Sequence, residues 1–250
     1  MALNHNPYLV TNGLVYMLDP SNPKCWNGTS TTITSLVNNG TNTISGAPYG
    51  RDSSTYAVTV LTLNNAVLTT ATSTATVSLS TPSLDVLAAS NNFTVMFAAK
   101  KNYHGLGGNS VGNSQFLQGS NNGYNNGWRI VDGNLNTPGL PFTGAHSFSM
   151  GIPDITKGFT VVDSSSTNRM CIVAFSISYT SITGFINGAI TSTSNSQAYT
   201  NGSGSPAISW TSAGVGSWNG LVGFLMIYNR ALTSAELRQN YNALRGRYSL

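Results

Sequence analysis

Charge is what this chain has least of. Asp, Glu, Lys and Arg make up 7% of its 250 residues, against about 25% in ordinary soluble domains. Eleven basic and seven acidic residues leave a net charge of +4. Four of the basic ones, Arg230, Arg238, Arg245 and Arg247, crowd the end of the chain, and no Lys/Arg-rich run occurs. A solvated helix face and tail accounts for them, and nucleic-acid binding is not expected. Cysteine is scarce too. Cys25 and Cys171 match no metal-site spacing, so two free, buried thiols are expected, as suits a reducing cytosol. No apolar run reaches the roughly 18 residues that a membrane-spanning helix needs, so no membrane partner is expected. The first ten residues have neither a basic start nor a long apolar core. Synthesis in the cytosol without the usual export route is therefore expected.

The shortage of charge also removes chemistry. Glu236 is the sole glutamate, and Asp19, Asp52, Asp85, Asp132, Asp154 and Asp163 never stand two or four apart. Glycoside hydrolysis needs two carboxylates across the scissile bond, about 5 to 9 Å from each other. His5 falls in the leading peptide, and His104 and His146 are read as loop residues. No Gly-x-Ser-x-Gly elbow occurs. No His/Asp cluster for zinc is seen. The glycine-rich run from 105 to 127 lacks the Gly-Lys-Ser/Thr ending of a phosphate loop. No catalytic residue and no metal ligand is assigned, and no enzymatic activity is expected.

What remains is Ser, Thr, Asn and Gly, a composition that favours strands and turns. A chain of this length buries about three quarters of its unfolded surface, so it needs no metal or disulfide to be stable. Apolar or alternating runs predict strands at 13–19, 33–37, 92–100, 115–117, 128–131, 169–179, 208–210 and 221–228. Shorter ones are predicted within 53–83, where Tyr56, Val58 and Val60 alternate, as do Val77 and Leu79. The Asn187-Gly188 pair inside 182–190 predicts a tight type I′ hairpin turn. Pro138, Pro141 and Pro153 mark a loop-rich middle. One helix stands out after residue 232. Thr233 and Glu236 form a capping box, and Leu237, Tyr241 and Leu244 form an apolar stripe. Arg238 and Arg245 lie toward its negative end, and Gly246 is expected in the left-handed position beyond it.

The stretch from Ser217 to Gly246 resembles the end of the concanavalin A-like, laminin-G-type jelly-roll domains. Their pattern runs Asn-Gly-x-Ile-Asp-Glu-Val-x-Ile-Tyr-Asn-Arg-Ala-Leu-Ser-x-x-Glu-Ile. Asn219, Gly220, Val222, Leu225, Ile227 through Leu232, Thr233 and Glu236 match or conservatively replace it. Gly223 and Phe224 stand where the family has Asp-Glu. The start, residues 13–19 with Asn22, Pro23 and Lys24, is similar to the family's first strand. Weaker likeness runs through 92–100 and 169–190. The ending from Asn240 to Tyr248 resembles that of such domains in tailed-phage structural proteins. The resemblance implies an all-β fold, a two-sheet antiparallel jelly-roll β-sandwich with one short C-terminal helix. Residues 1–12 would be a lead or arm, and 13–250 a single domain whose first and last strands are neighbours.

Some relatives hydrolyse β-glucans through a Glu-x-Asp-x-Glu strand, which this chain lacks. Two roles follow from the resemblance. The first is a non-enzymatic virion protein of a tailed bacteriophage: a capsid decoration, neck or fibre component made in the host cytoplasm. Its partners would be other virion proteins and further copies of itself. The second is a lectin-like adhesion module for surface polysaccharide. Tyr103, Tyr124 and Trp128, set among many Asn, are the candidate sugar-binding residues, because aromatic faces with amide hydrogen bonds suit sugars. No cofactor is expected. Calcium alone is left open, with Asp132 in the 125–136 region as the candidate ligand.

Overall fold

The computed structural model describes residues 8–19, 21–25, 32–37, 41–45, 51–52, 56–57, 68–70, 76–77, 92–101, 114–118, 129–132, 145–151, 159–166, 170–178, 181–195 and 220–250. Within them run sixteen strands. They are β1 (Leu14–Leu18), β2 (Thr32–Thr34), β3 (Thr41–Ser45), β4 (Arg51–Asp52), β5 (Tyr56–Ala57), β6 (Leu68–Thr70), β7 (Thr76–Val77) and β8 (Phe93–Lys101). Then come β9 (Ser114–Gln118), β10 (Arg129–Asp132), β11 (Ala145–Gly151), β12 (Phe159–Ser166), β13 (Cys171–Ile177), β14 (Ser181–Ile186), β15 (Ala189–Asn195) and β16 (Gly220–Tyr228). A helix, Ser234–Leu244, and a 3-10 turn, Arg245–Tyr248, close the chain.

Two sheets carry the architecture. The larger has the order β1-β16-β8-β13-β14-β15, with β6 also paired to β16. The smaller has the order β12-β11-β10-β9. Short pairings β2-β3-β7 and β4-β5 lie beside them, and every pairing is antiparallel. The fold is a jelly-roll β-sandwich. The first and last strands are neighbours, with Met17 opposite Met226 and Leu18 opposite Leu225.

The central strands of the larger sheet are apolar at nearly every position because both of their faces are covered. One face sends Phe93, Val95, Phe97, Cys171, Val173, Phe175, Leu225 and Ile227 into a core shared with Ile130, Phe148 and Met150 of the smaller sheet. Phe97 meets Phe148 edge to face across that core, with ring centroids 5.3 Å apart. Each such buried side chain contributes about 1.5 to 3 kcal/mol. The opposite face sends out Met96, Ala98, Ile172, Ala174, Phe224, Met226 and Tyr228. These pack with Leu232, Leu237 and Leu244 of the C-terminal segment. Period-2 alternation thus divides each strand between two cores.

The helix begins as its sequence predicts. The Thr233 side chain accepts from the Glu236 amide, and the Glu236 carboxylate accepts from the Thr233 amide. Leu237 and Leu244 are buried, Tyr241 is half-buried, and Asn240 is buried with them. Two hydroxyls anchor the approach. The Leu232 amide donates to Thr94 Oγ1 at 2.9 Å, and Ser176 Oγ donates to the Leu232 carbonyl at 2.8 Å. The Asn187-Gly188 turn joins β14 to β15 with both residues at positive φ, 48° and 92°, the type I′ geometry. Both cysteines are buried.

Several expectations are corrected. Gly246 does not take the left-handed position. It lies within the 3-10 turn, which continues the helix, and Ser249 carries the positive φ of 56° instead. The middle marked by Pro138, Pro141 and Pro153 also holds strands, β11 between Pro141 and Pro153 and β12 beyond them. His146 is therefore a strand residue, opposite Asp163. The predicted strand at 33–37 is shorter than expected: β2 ends at Thr34, and Leu36 and Val37 form a turn. The expected strand at 208–210 lies outside the described residues.

Candidate functional site

Three ionisable groups of the C-terminal segment, Arg230, Glu236 and Arg247, are paired. Arg230 grips Glu236 with two donors, Nη2 to Oε1 at 2.6 Å and Nη1 to Oε2 at 3.0 Å. That guanidinium, with the Thr233 hydrogen bonds, holds the Glu236 carboxyl down to about 2. Arg230 Nε also donates to the Asn12 carbonyl at 2.9 Å. Arg247 forks onto Asp19 at 2.7 and 2.9 Å and also reaches Ser21 Oγ. Cys25 Sγ accepts from the Asp19 amide, and burial pushes the thiol up to about 11, which removes it as a nucleophile. Glu236 and Asp19 are thus each bound by an arginine, a structural arrangement rather than an acid/base pair. Among the described residues no three His, Cys, Asp or Glu side chains are grouped to hold a metal.

The N-terminal segment is tied to the same corner. Asn240 accepts from the Val10 amide at 2.8 Å and donates to Tyr228 Oη at 2.9 Å. Tyr228 Oη in turn donates to the Val10 carbonyl at 3.0 Å. Burial pushes the Tyr228 phenol up to about 12, so it stays a neutral donor. Gln239 Nε2 donates to the Tyr8 carbonyl.

With both faces of the central strands of the larger sheet packed, the smaller sheet supplies the candidate site. Ile130, Phe148 and Met150 mark its inward positions. Side-chain direction alternates along each strand, and cross-strand partners share a face. The register positions that alternate with these are Gln115, Gln118, Arg129, Val131, Ser147, Ser149, Thr160 and Val162. Apart from Arg129, these positions are amide, hydroxyl or apolar. Sequence reading missed most of them. The alternation of Phe148 and Met150 with Ser147 and Ser149 was the available signal, hidden by the prolines around it.

The four sequence candidates are placed as follows. Tyr103, Tyr124 and Trp128 lie outside the described residues. Tyr124 and Trp128 belong to the stretch 119–128 that joins β9 to β10, adjoining the paired Gln118 and Arg129. Tyr103 belongs to the stretch 102–113 that leads from β8 to Ser114. Asp132 ends β10 opposite Ser114 and Phe148, at an inward register position. It is three residues from Arg129, about 10 Å along the strand at ~3.3 Å per residue.

No family model and no curated protein matches the chain. Solved structures do. The arrangement of two sheets defines a jelly-roll β-sandwich, and several solved domains are similar to it. Domain 4 of AbnA, an extracellular arabinanase of Geobacillus stearothermophilus solved with arabinotriose, is similar over 91% of this chain and 98% of its own, at 15% identity and a TM-score of 0.56. The binding domain of botulinum neurotoxin DC, in complex with rat synaptotagmin II, is similar over 93% of this chain and 52% of its own, at 12% identity and a TM-score of 0.57. Trypanosoma rangeli sialidase in complex with sialic acid is similar over 95% and 34%, at 11% identity and a TM-score of 0.54. At these identities the likeness establishes the fold.

Proposed function

We propose that this chain is a glycan-binding β-sandwich module that recognises sugar without cleaving it. The observation that carries the reading is the strand register of the smaller sheet, where the polar positions Gln115, Gln118, Ser147, Ser149 and Thr160 alternate with the inward Ile130, Phe148 and Met150. Amides and hydroxyls hydrogen-bond sugar hydroxyls, and aromatic faces stack on sugar rings. Those register positions, with Arg129 as their one cation and no carboxylate among them, suit a neutral polysaccharide. The arabinotriose-bound neighbour, similar over nearly its whole length, supports this class of ligand. The pairing of Glu236 and Asp19 with arginines supports binding rather than hydrolysis. The expected virion role rests on the resemblance of Asn240–Tyr248 and finds no counterpart among the neighbours above. The binding reading does not depend on it.

The test is titration of the purified chain with a panel of neutral oligosaccharides by calorimetry, with chromatography of the sugars afterwards. Binding of an intact oligosaccharide is expected, lost in the Tyr124→Ala, Trp128→Ala double variant and weakened by Gln115→Ala, Gln118→Ala. A panel without a binder, or binding that both variants keep, overturns the proposal.

A further inference from the structure

Residues 8–12 form a strap that is held through its main chain, as a docked peptide is held. Gln239 Nε2 donates to the Tyr8 carbonyl at 2.6 Å, and Asn240 Oδ1 accepts from the Val10 amide at 2.8 Å. Tyr228 Oη donates to the Val10 carbonyl at 3.0 Å, and Arg230 Nε donates to the Asn12 carbonyl at 2.9 Å. Every second residue of the strap thus meets a side chain of the segment 228–240. Its one buried side chain, Val10, joins the apolar cluster of Tyr228, Leu232 and Leu237. The strap adds no strand to either sheet. Backbone hydrogen bonds with a single apolar pocket are the means by which grooves recognise extended peptides.

The strap reaches this groove by folding back at a turn. The Leu14 amide donates to the Thr11 carbonyl at 3.0 Å, and Gly13 between them has a φ of 79°. Glycine suits that position twice over, by its freedom at positive φ and because a Cβ would lie 2.9 Å from both Arg230 Cγ and Asn229 Oδ1.

We propose that the strap also docks in trans, so that two copies of this chain exchange residues 8–12. Opening the turn gives up its Leu14–Thr11 hydrogen bond and frees Gly13 from positive φ, while each docking bond re-forms on the second copy. Exchange of an identical element is a low-cost route to a two-fold pair. The second copy fits as occupant because strap and groove match without net charge. Residues 8–13 carry none, and Arg230 and Glu236 at the groove neutralise each other. The pair uses none of the residues proposed for sugar.

Sedimentation equilibrium on the full chain, from micromolar to about millimolar, reads the exchange. The upper end matches the effective concentration of about a millimolar that a short flexible linker gives a tethered segment. A reversible monomer–dimer equilibrium is expected, insensitive to salt. Gly13→Ala penalises the folded-back turn in both copies and should tighten the dimer at least about tenfold. Val10→Asp spoils the strap and Asn240→Ala the groove, so in their mixture a sound strap meets a sound groove only between copies. The mixture should therefore hold more dimer than either variant alone. Should one of these two not fold, Gly13→Ala still decides, since a dimer formed without exchange is not tightened by it. Monomer at every concentration in both wild type and Gly13→Ala, a dimer indifferent to Gly13→Ala, or a folded mixture with no excess of dimer overturns the proposal.

Discussion

The corner where both chain segments meet rests on one buried side chain, and its removal should be felt throughout the fold. Asn240 is fully buried and serves two partners, the Val10 amide at 2.8 Å and Tyr228 Oη at 2.9 Å. Asn240→Ala leaves the Val10 N–H without an acceptor, which costs about 1 to 3 kcal/mol. The Tyr228 hydroxyl keeps its bond to the Val10 carbonyl, so its loss is smaller. With the vacated side-chain volume added, the total comes to about 3 kcal/mol. Tyr228→Phe removes a donor from Val10 O and an acceptor from Asn240, and should cost about 1 to 2 kcal/mol. Because the two residues share one network, the double variant should cost less than the sum by about 1 kcal/mol. Urea unfolding reads this as a lower midpoint at unchanged slope. Hydrogen exchange should show the Val10 amide losing protection first. A cost below about 0.5 kcal/mol for Asn240→Ala, or strict additivity with Tyr228→Phe, would refute the network as a stabilising unit.

Two further outcomes are expected. A Cβ at Gly223 would lie 2.5 Å from Tyr248 Oη, so Gly223→Ala should displace the Tyr248 ring and cost about 1 to 3 kcal/mol; the same change should be nearly neutral in a Tyr248→Ala background, and equal melting shifts in both backgrounds would sink the argument. The Glu236 carboxyl has a folded value lowered from 4.5 to about 2, so its stabilisation is present above 4.5 and fades as the pH falls toward 2. The pair is partly solvated, with side chains 25% and 26% exposed, which limits the effect to about 1 kcal/mol. Melting curves of Glu236→Gln should lose this share of the acid dependence, and an unchanged acid limb would refute it.

Legibility in the sequence followed the physical nature of each signal. The Thr233–Glu236 capping box, the Asn187-Gly188 turn and the apolar strands β8, β13 and β16 were all readable, because each depends on residues within a few positions of one another. The role of Asn240 was not legible, since nothing local shows that its amide would meet Val10 and Tyr228 from 230 and 12 residues away. Gly246 misled for a related reason. A glycine after a helix usually takes positive φ, but here the Arg247 fork onto Asp19 continues the turn and moves that position to Ser249. Strands β11 and β12 were obscured by flanking prolines, although Pro138, Pro141 and Pro153 all fall outside the strands themselves. The pairing of His146 with Asp163 was invisible for the same reason, since it exists only once those two strands are aligned.

The distribution of packing bears on where recognition can reside. A sheet in a sandwich normally buries one face and leaves the other to solvent. Here the larger sheet gives one face to the smaller sheet and the other to Val10, Leu232, Leu237 and Leu244. Phe224, Met226 and Tyr228 on that second face are committed to the helix, so a ligand there would have to displace the segment that closes the fold. Gly223 and Phe224, which replace an acidic pair in the resembling domains, fit this account. Gly223 makes room for Tyr248, and Phe224 faces the same ring at 6.1 Å. A carboxylate at Phe224 would be buried in that apolar layer, and a side chain at Gly223 would meet the Tyr248 ring. The substitution thus puts a packed contact where the resembling domains have a polar pair.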